Sequence, residues 1–226
     1  MHARKHTRAS RCWAALALLA ASVCGRSARA EPPPRELVFG IAPHLRTSLS
    51  QSCQRGGDVV ECQDLNPFAG ADVSLHFWPI DLLGLGARIA VSTDLDAAEG
   101  ASSEGITWDP EDQWLWRFVA DARLDPPLLP EGLWFGAEAG LALLVETQQS
   151  LQDTRVVEDS ATRVAPLLGL AIGWDFWLGR SITLTPELRA ELIAFGDPPE
   201  LRADVEGRDY GASTWLELAL RFGYVF

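Results

Sequence analysis

Asp72, Ser74 and His76 stand at alternate positions of one segment, so in an extended strand their three side chains point the same way. A carboxylate, a hydroxyl and an imidazole are the groups from which acyl-transfer sites are built, and such chemistry needs the hydroxyl within hydrogen-bond reach of the base. Successive same-face residues on a strand lie about 7 Å apart, too far for a direct relay without help from neighbouring strands. The competing reading makes His76 a hydrogen-bonded partner of nearby acids. His44 and His76 are the two histidines beyond residue 30. The expectation is a non-enzymatic protein with no catalytic residue, cofactor or bound metal, and a lipid-modifying or peptide-cutting enzyme is kept as the alternative.

The start of the chain bears on where any chemistry would occur. Arg4, Lys5, Arg8 and Arg11 precede an apolar run from Trp13 to Val23, and Ser27-Ala28-Arg29-Ala30 offers small residues at the positions a signal peptidase reads. The run is too short for a bilayer span, which needs about 20 residues. Residues 1–30 are therefore expected to be a cleaved signal peptide, with 31–226 as one domain. All thirty-one acids lie beyond Ala30 and six of the nineteen basic residues lie before it, so the mature chain carries a net charge of −18 and no lysine. A chain so acidic lacks the clustered Lys and Arg that nucleic-acid phosphates demand.

Cys53 and Cys62 remain after cleavage, in a polar stretch containing Gly56 and Gly57. In an oxidising compartment two cysteines closing a short loop are expected to form a disulfide. The zinc alternative lacks a nearby histidine, and two thiols alone do not complete a tetrahedral site. Acids gather in two segments, one with Asp94, Asp96, Glu99, Glu104, Asp109, Glu111 and Asp112, the other with Asp197, Glu200, Asp204, Glu206 and Asp209. Their oxygens suit calcium, but the spacing does not match an EF-hand loop with glycine at position six and glutamate at twelve. They read as a solvated anionic surface at which an extracellular ligand could bind.

These residues are positioned by segments of period two. From Thr214 to Phe226, Leu216, Leu218, Leu220, Phe222, Tyr224 and Phe226 point one way, whereas Trp215, Glu217, Ala219, Arg221, Gly223 and Val225 point the other. Seven further segments alternate similarly, so strands are expected at 36–49, 67–80, 83–96, 113–125, 133–147, 162–176, 182–195 and 213–226. Their connections alternate long and short, as in an up-and-down barrel with turns at one end and loops at the other. One row in each strand is apolar throughout, for example Leu133, Phe135, Ala137, Ala139, Leu141, Leu143 and Val145.

The opposite rows carry His44, Arg46, Asp72, His76, Arg88, Asp94, Arg117, Asp121, Arg123, Glu138, Glu146, Arg163, Asp175, Glu187, Arg189, Glu191, Glu217 and Arg221. So many ions cannot sit unpaired in a dry core, because each would lose its hydration. Near-balance of acids and arginines favours a salt-bridged, narrow or closed interior over a pore lined by one sign, and an eight-strand barrel encloses a space that side chains can fill. Aromatics fall at strand ends, as at a headgroup boundary: Phe39, Phe77, Phe135, Trp174, Phe176, Tyr224 and Phe226 at the turn end, Trp114, Trp116 and Trp215 at the loop end. A soluble sandwich or lipocalin-like barrel remains as the other reading of the pattern. Pro43, Pro79, Pro166 and Pro186 lack a ladder donor and are expected at bulges or strand ends.

On the signal peptide, the eight segments and the terminal Leu220-Arg221-Phe222-Gly223-Tyr224-Val225-Phe226, the chain resembles the small bacterial outer-membrane β-barrels of the OmpA/OmpX type over residues 36–226. The resemblance implies an all-β, eight-stranded antiparallel up-and-down transmembrane barrel in the bacterial outer membrane. It also implies contact with outer-membrane lipids, recognition by the barrel-assembly machinery through the C-terminal strand with Phe222, Tyr224 and Phe226, and a monomer. The implied roles are structural, surface-interacting or narrow-channel, and fold alone does not choose among them.

Overall fold

A computed structural model describes residues 37–55, 58–60, 67–95, 102–103, 106–152, 155–195 and 211–226. The expected signal peptide lies outside them. So does the expected disulfide, because Cys62 is outside the described residues and the side chain of Cys53, on the first strand, is not among those described.

Among the described residues eight long strands follow one another: β1 (Leu37–Arg55), β2 (Phe68–Ile80), β3 (Leu83–Asp94), β4 (Ile106–Leu124), β5 (Leu133–Gln152), β6 (Arg155–Trp174), β7 (Ile182–Ala194) and β8 (Ala212–Val225). Each pairs antiparallel with the next, and β8 pairs with both β7 and β1, so the sheet closes on itself. Closure leaves no free edge along the paired length, which is how an all-β chain satisfies every ladder group without water. The short pieces Asp58–Val60, Ser102–Ser103 and Phe176–Trp177 pair with β1, β4 and β7.

The strands match the expected ones in number, order and facing, but several run further at the loop end. β5 and β6 stay in register from Thr147↔Ser160 to Gln152↔Arg155, so the connection expected at 148–161 shrinks to 153–154, and β4 starts at Ile106 rather than 113. The reason is that a ladder needs backbone groups, not apolar side chains. The polar run Thr147-Gln148-Gln149-Ser150 marks where the apolar row ends, not where pairing ends.

The prolines divide. Pro79 sits in a register shift between Phe77 and Ile80, as expected. Pro43, Pro166 and Pro186 instead sit within strands without any shift: the β1–β8 pairs skip Pro43 and resume at His44↔Ala219 in the same register, Pro166 stays opposite Leu141, and Pro186 stays opposite Leu220 although the β6–β7 ladder begins only at Glu187. A missing donor on one side of a strand interrupts the ladder there without displacing it.

Facing follows the alternation. The outward row is exposed and apolar, with Leu170 at 68%, Leu168 at 61% and Leu141 at 52% exposure, whereas the inward arginines and glutamates are buried. Phe39, Phe77, Phe135, Trp174, Tyr224 and Phe226 ring the outside at the turn end, and Trp114 and Trp116 lie outside near the loop end. Trp215 does not join them. It is 0% exposed and faces the lumen with Glu217 and Arg221, because strand parity, not residue type, sets its direction. The β4–β5 turn ends at Gly132, whose φ of 88° only glycine adopts freely, and its carbonyl accepts the Asp175 N–H at 2.9 Å.

Candidate functional site

The inner row of each strand is a sequence of large ions and very small residues. Gly86, Gly169 and Gly173 together with Ala42, Ala90, Ala165 and Ala171 leave room for long side chains arriving from other strands. The space left beside β6 is filled by charges from β5 and β7, since Glu138 and Glu191 both reach over Gly169.

Three arginines form the centre. Arg88 Nη2 lies 2.8 Å from Glu138 Oε2 and 3.1 Å from Glu191 Oε1, and its Nη1 is 3.4 Å from Glu217 Oε1. Arg117 Nη1 donates to Glu191 Oε1 at 2.6 Å and its Nη2 pairs with Glu217. Arg189 pairs with Glu217, its register partner on β8, and with Glu187; its Nη1 is 3.2 Å from Asp72 Oδ2 and its Nε 3.4 Å from Glu138 Oε1. Around this centre Arg46 Nη2 reaches Glu191 Oε2 at 3.1 Å, Arg221 Nη1 reaches Glu187 Oε1 at 3.1 Å, and Arg123 Nη2 reaches the same oxygen at 3.4 Å. Every carboxylate in this set faces at least one guanidinium, which is what keeps so many ions out of water.

The residues expected to line the lumen are thus brought together, with Arg163 apart: its Nε lies 3.5 Å from Glu146 Oε2, nearer the loop end, where Gln113 also donates to Glu146 at 3.2 Å. The three groups with the makings of a catalytic triad are not assembled. His76 Nε2 lies 2.8 Å from Asp121 Oδ1, and Asp72 faces Arg189 and Arg221. Phe222, Tyr224 and Phe226 lie on the outer surface, where Tyr224 and Phe226 meet edge to face at 5.0 Å.

His44 packs in the same layer. Its Nε2 lies 2.8 Å from Ser92 Oγ and 3.1 Å from Arg117 Nη2. A guanidinium can only donate, so Nε2 accepts and the ring proton sits on Nδ1, 3.8 Å from Asp72 Oδ2. His44, Asp72 and Glu217 turn ligand atoms to within 4.8 Å of one another, a set that could hold a divalent ion. Arg88, Arg117 and Arg189 already occupy the cationic places around both carboxylates, so the donor set does not fit a further cation.

Two apolar features flank the ions and were not read from the sequence. Towards the loop end Phe68, Leu115, Val119, Leu144, Leu167, Ile193, Phe195 and Trp215 form one buried cluster. Phe68 and Trp215 meet edge to face at 5.7 Å, and the Arg46 guanidinium lies 4.4 Å above the Trp215 ring. At the turn end Trp134 is buried, takes Arg123 over its face at 4.1 Å and donates to Asp175 at 3.3 Å, while Trp78 donates to Asp125 at 3.2 Å. A recess of about 10 Å³ lies among His76, Trp78, Arg123, Asp175 and Trp177, room for about one water molecule. The readable signal for both was apolar residues breaking the inner rows, as Leu115, Leu144, Leu167 and Ile193 do in four strands.

No protein-family model and no curated protein matches the chain. Among solved structures it is similar to Neisserial surface protein A, at 12% identity over 84% of this chain and 96% of that one with a TM-score of 0.49. It is also similar to the attachment invasion locus protein Ail of Yersinia pestis, at 10% identity over 84% and 99% with a TM-score of 0.47. A third likeness is to the outer membrane protein OprG of Pseudomonas aeruginosa, at 9% identity over 86% and 97% with a TM-score of 0.46. By its own geometry, apolar outside, ionic within, closed on itself and with short turns at one end, the chain has the fold of a small eight-stranded transmembrane-type β-barrel.

Proposed function

We propose that this protein is a non-enzymatic barrel of the bacterial outer membrane whose lumen is closed to solutes and whose role, structural or surface-interacting, is exercised at its ends. The exposed apolar belt supports the membrane setting: a water-soluble barrel of this size would leave Leu168, Leu170, Val164 and Leu141 in water at once, well beyond the scattered apolar residues of a soluble surface. The short turns then face the periplasm and the long hairpins face outside. Assembly would proceed through β8 and its outward Phe222, Tyr224 and Phe226, and the acidic segments near 94–112 and 197–209 would offer a ligand surface on the cell exterior.

The observation that carries the closed lumen is the burial of its ions. Arg117 and Glu217 are 0% exposed and Arg88, Arg189 and Glu191 no more than 2%, although they sit at the barrel axis. A water-filled channel would wet these groups. The location is tested by fractionation and by gel mobility. The protein should travel with the outer membrane, and unboiled samples should migrate differently from boiled ones because a closed ladder resists detergent. Recovery as a soluble periplasmic protein with no mobility difference contradicts the reading.

A further inference from the structure

The lumen is layered, and the layers differ in kind. The ionic layer draws on β1, β2, β3, β4, β5, β7 and β8, through His44, Asp72, Arg88, Arg117, Glu138, Arg189 and Glu217. The layer above it, towards the loop end, is apolar and draws on β2, β4, β5, β6, β7 and β8, six of the eight strands. Trp215 is its largest member. It is fully buried, held by Phe68 at one edge, covered on its face by Arg46, and fixed in orientation by its Nε1 donating to Ser213 Oγ at 2.8 Å.

Resting on the closed-lumen reading above, we propose that this apolar layer, with Trp215 as its keystone, is the barrier to ions and water, and that the salt-bridged layer beneath it is not. Charged groups that pair with one another also solvate a passing ion or water file, so an ionic layer is a poor seal once water reaches it. An apolar constriction excludes water because nothing in it replaces the lost hydrogen bonds, which is the principle of a dewetted gate. From the loop end a solute passes the Arg163–Glu146 pair and then meets Phe68, Leu115, Leu144, Leu167, Ile193 and Trp215 before it meets the central arginines Arg88, Arg117 and Arg189. The same layer keeps the ions below it dry, which is where their pairing is strongest.

The two layers separate experimentally. The full chain and its variants are refolded, checked for heat-modifiable migration, and placed in planar bilayers in potassium chloride. Trp215→Ala should give open-channel steps where the unaltered protein gives none, and Trp215→Phe should restore silence. Arg88→Ala combined with Glu138→Ala should remain silent, because that pair lies under an intact seal. Leu144→Ala combined with Leu167→Ala opens the same layer from the opposite wall, so the proposal stays testable if Trp215→Ala fails to assemble. Silence of both apolar-layer variants overturns the proposal, as does conductance of the ionic-layer variant. Conductance of the unaltered protein is a different result: it overturns the closed-lumen reading itself.

Discussion

His76 on β2 reaches Asp121 on β4 across an entire strand, Nε2 to Oδ1 at 2.8 Å, and the residue beneath the contact is Gly86, in register with both. A Cβ at Gly86 would collide with the imidazole ring itself. Gly86→Ala should therefore displace His76 and cost about 1–3 kcal/mol, as other overpacking changes do. Urea unfolding in lipid vesicles, followed by tryptophan fluorescence, checks this. Unchanged stability would mean that the His76–Asp121 contact is absent.

Arg189 carries the densest set of partners, facing Asp72, Glu138, Glu187 and Glu217. Arg189→Ala leaves four buried carboxylates short of a cation and should cost about 3–5 kcal/mol. Adding Glu217→Gln should recover part of that loss. Arg163→Ala, at the loop end with Glu146, should cost less. A wild-type unfolding curve for Arg189→Ala would show a wet lumen.

Position along the outer face sets the effect of a new charge. Leu170 lies in the middle of the belt, whereas Leu128, 95% exposed, lies on the β4–β5 turn. Leu170→Arg should destabilise the barrel by about 2–4 kcal/mol and impair assembly, while Leu128→Arg should be silent. Equal tolerance of both would remove the membrane from the account.

Cys53 and Cys62 should be joined outside the barrel. Mass spectrometry of non-reduced peptides should find the link, and Cys53→Ala should leave all eight strands assembled at a cost of no more than a few kcal/mol. Two free thiols in the exported protein would contradict the pairing.

Much of the fold was legible because period two is a binary code: once Leu216, Leu218 and Leu220 face out, Glu217 and Arg221 face in, and every inner ion could be named that way. Direct neighbours were legible too, as with Arg189 opposite Glu217. Contacts across the lumen were not. Arg88 on β3 meets Glu138 on β5 and Glu191 on β7 because of strand tilt and stagger, which no local pattern encodes. For Trp215 residue type suggests the loop-end girdle while the parity of its strand points it inward with Glu217 and Arg221, and parity decides. The β5–β6 ladder continues through polar residues to Gln152↔Arg155, an extent that the end of the apolar row at Val145 does not mark.

The central claim, a barrel closed to solutes, is tested most directly by the conductance of the unaltered protein in a planar bilayer. Buried, mutually paired ions beneath an apolar layer predict a baseline indistinguishable from the protein-free membrane, at any salt concentration that leaves the barrel folded. Reproducible single-channel steps that scale with salt and select by ion charge would contradict it.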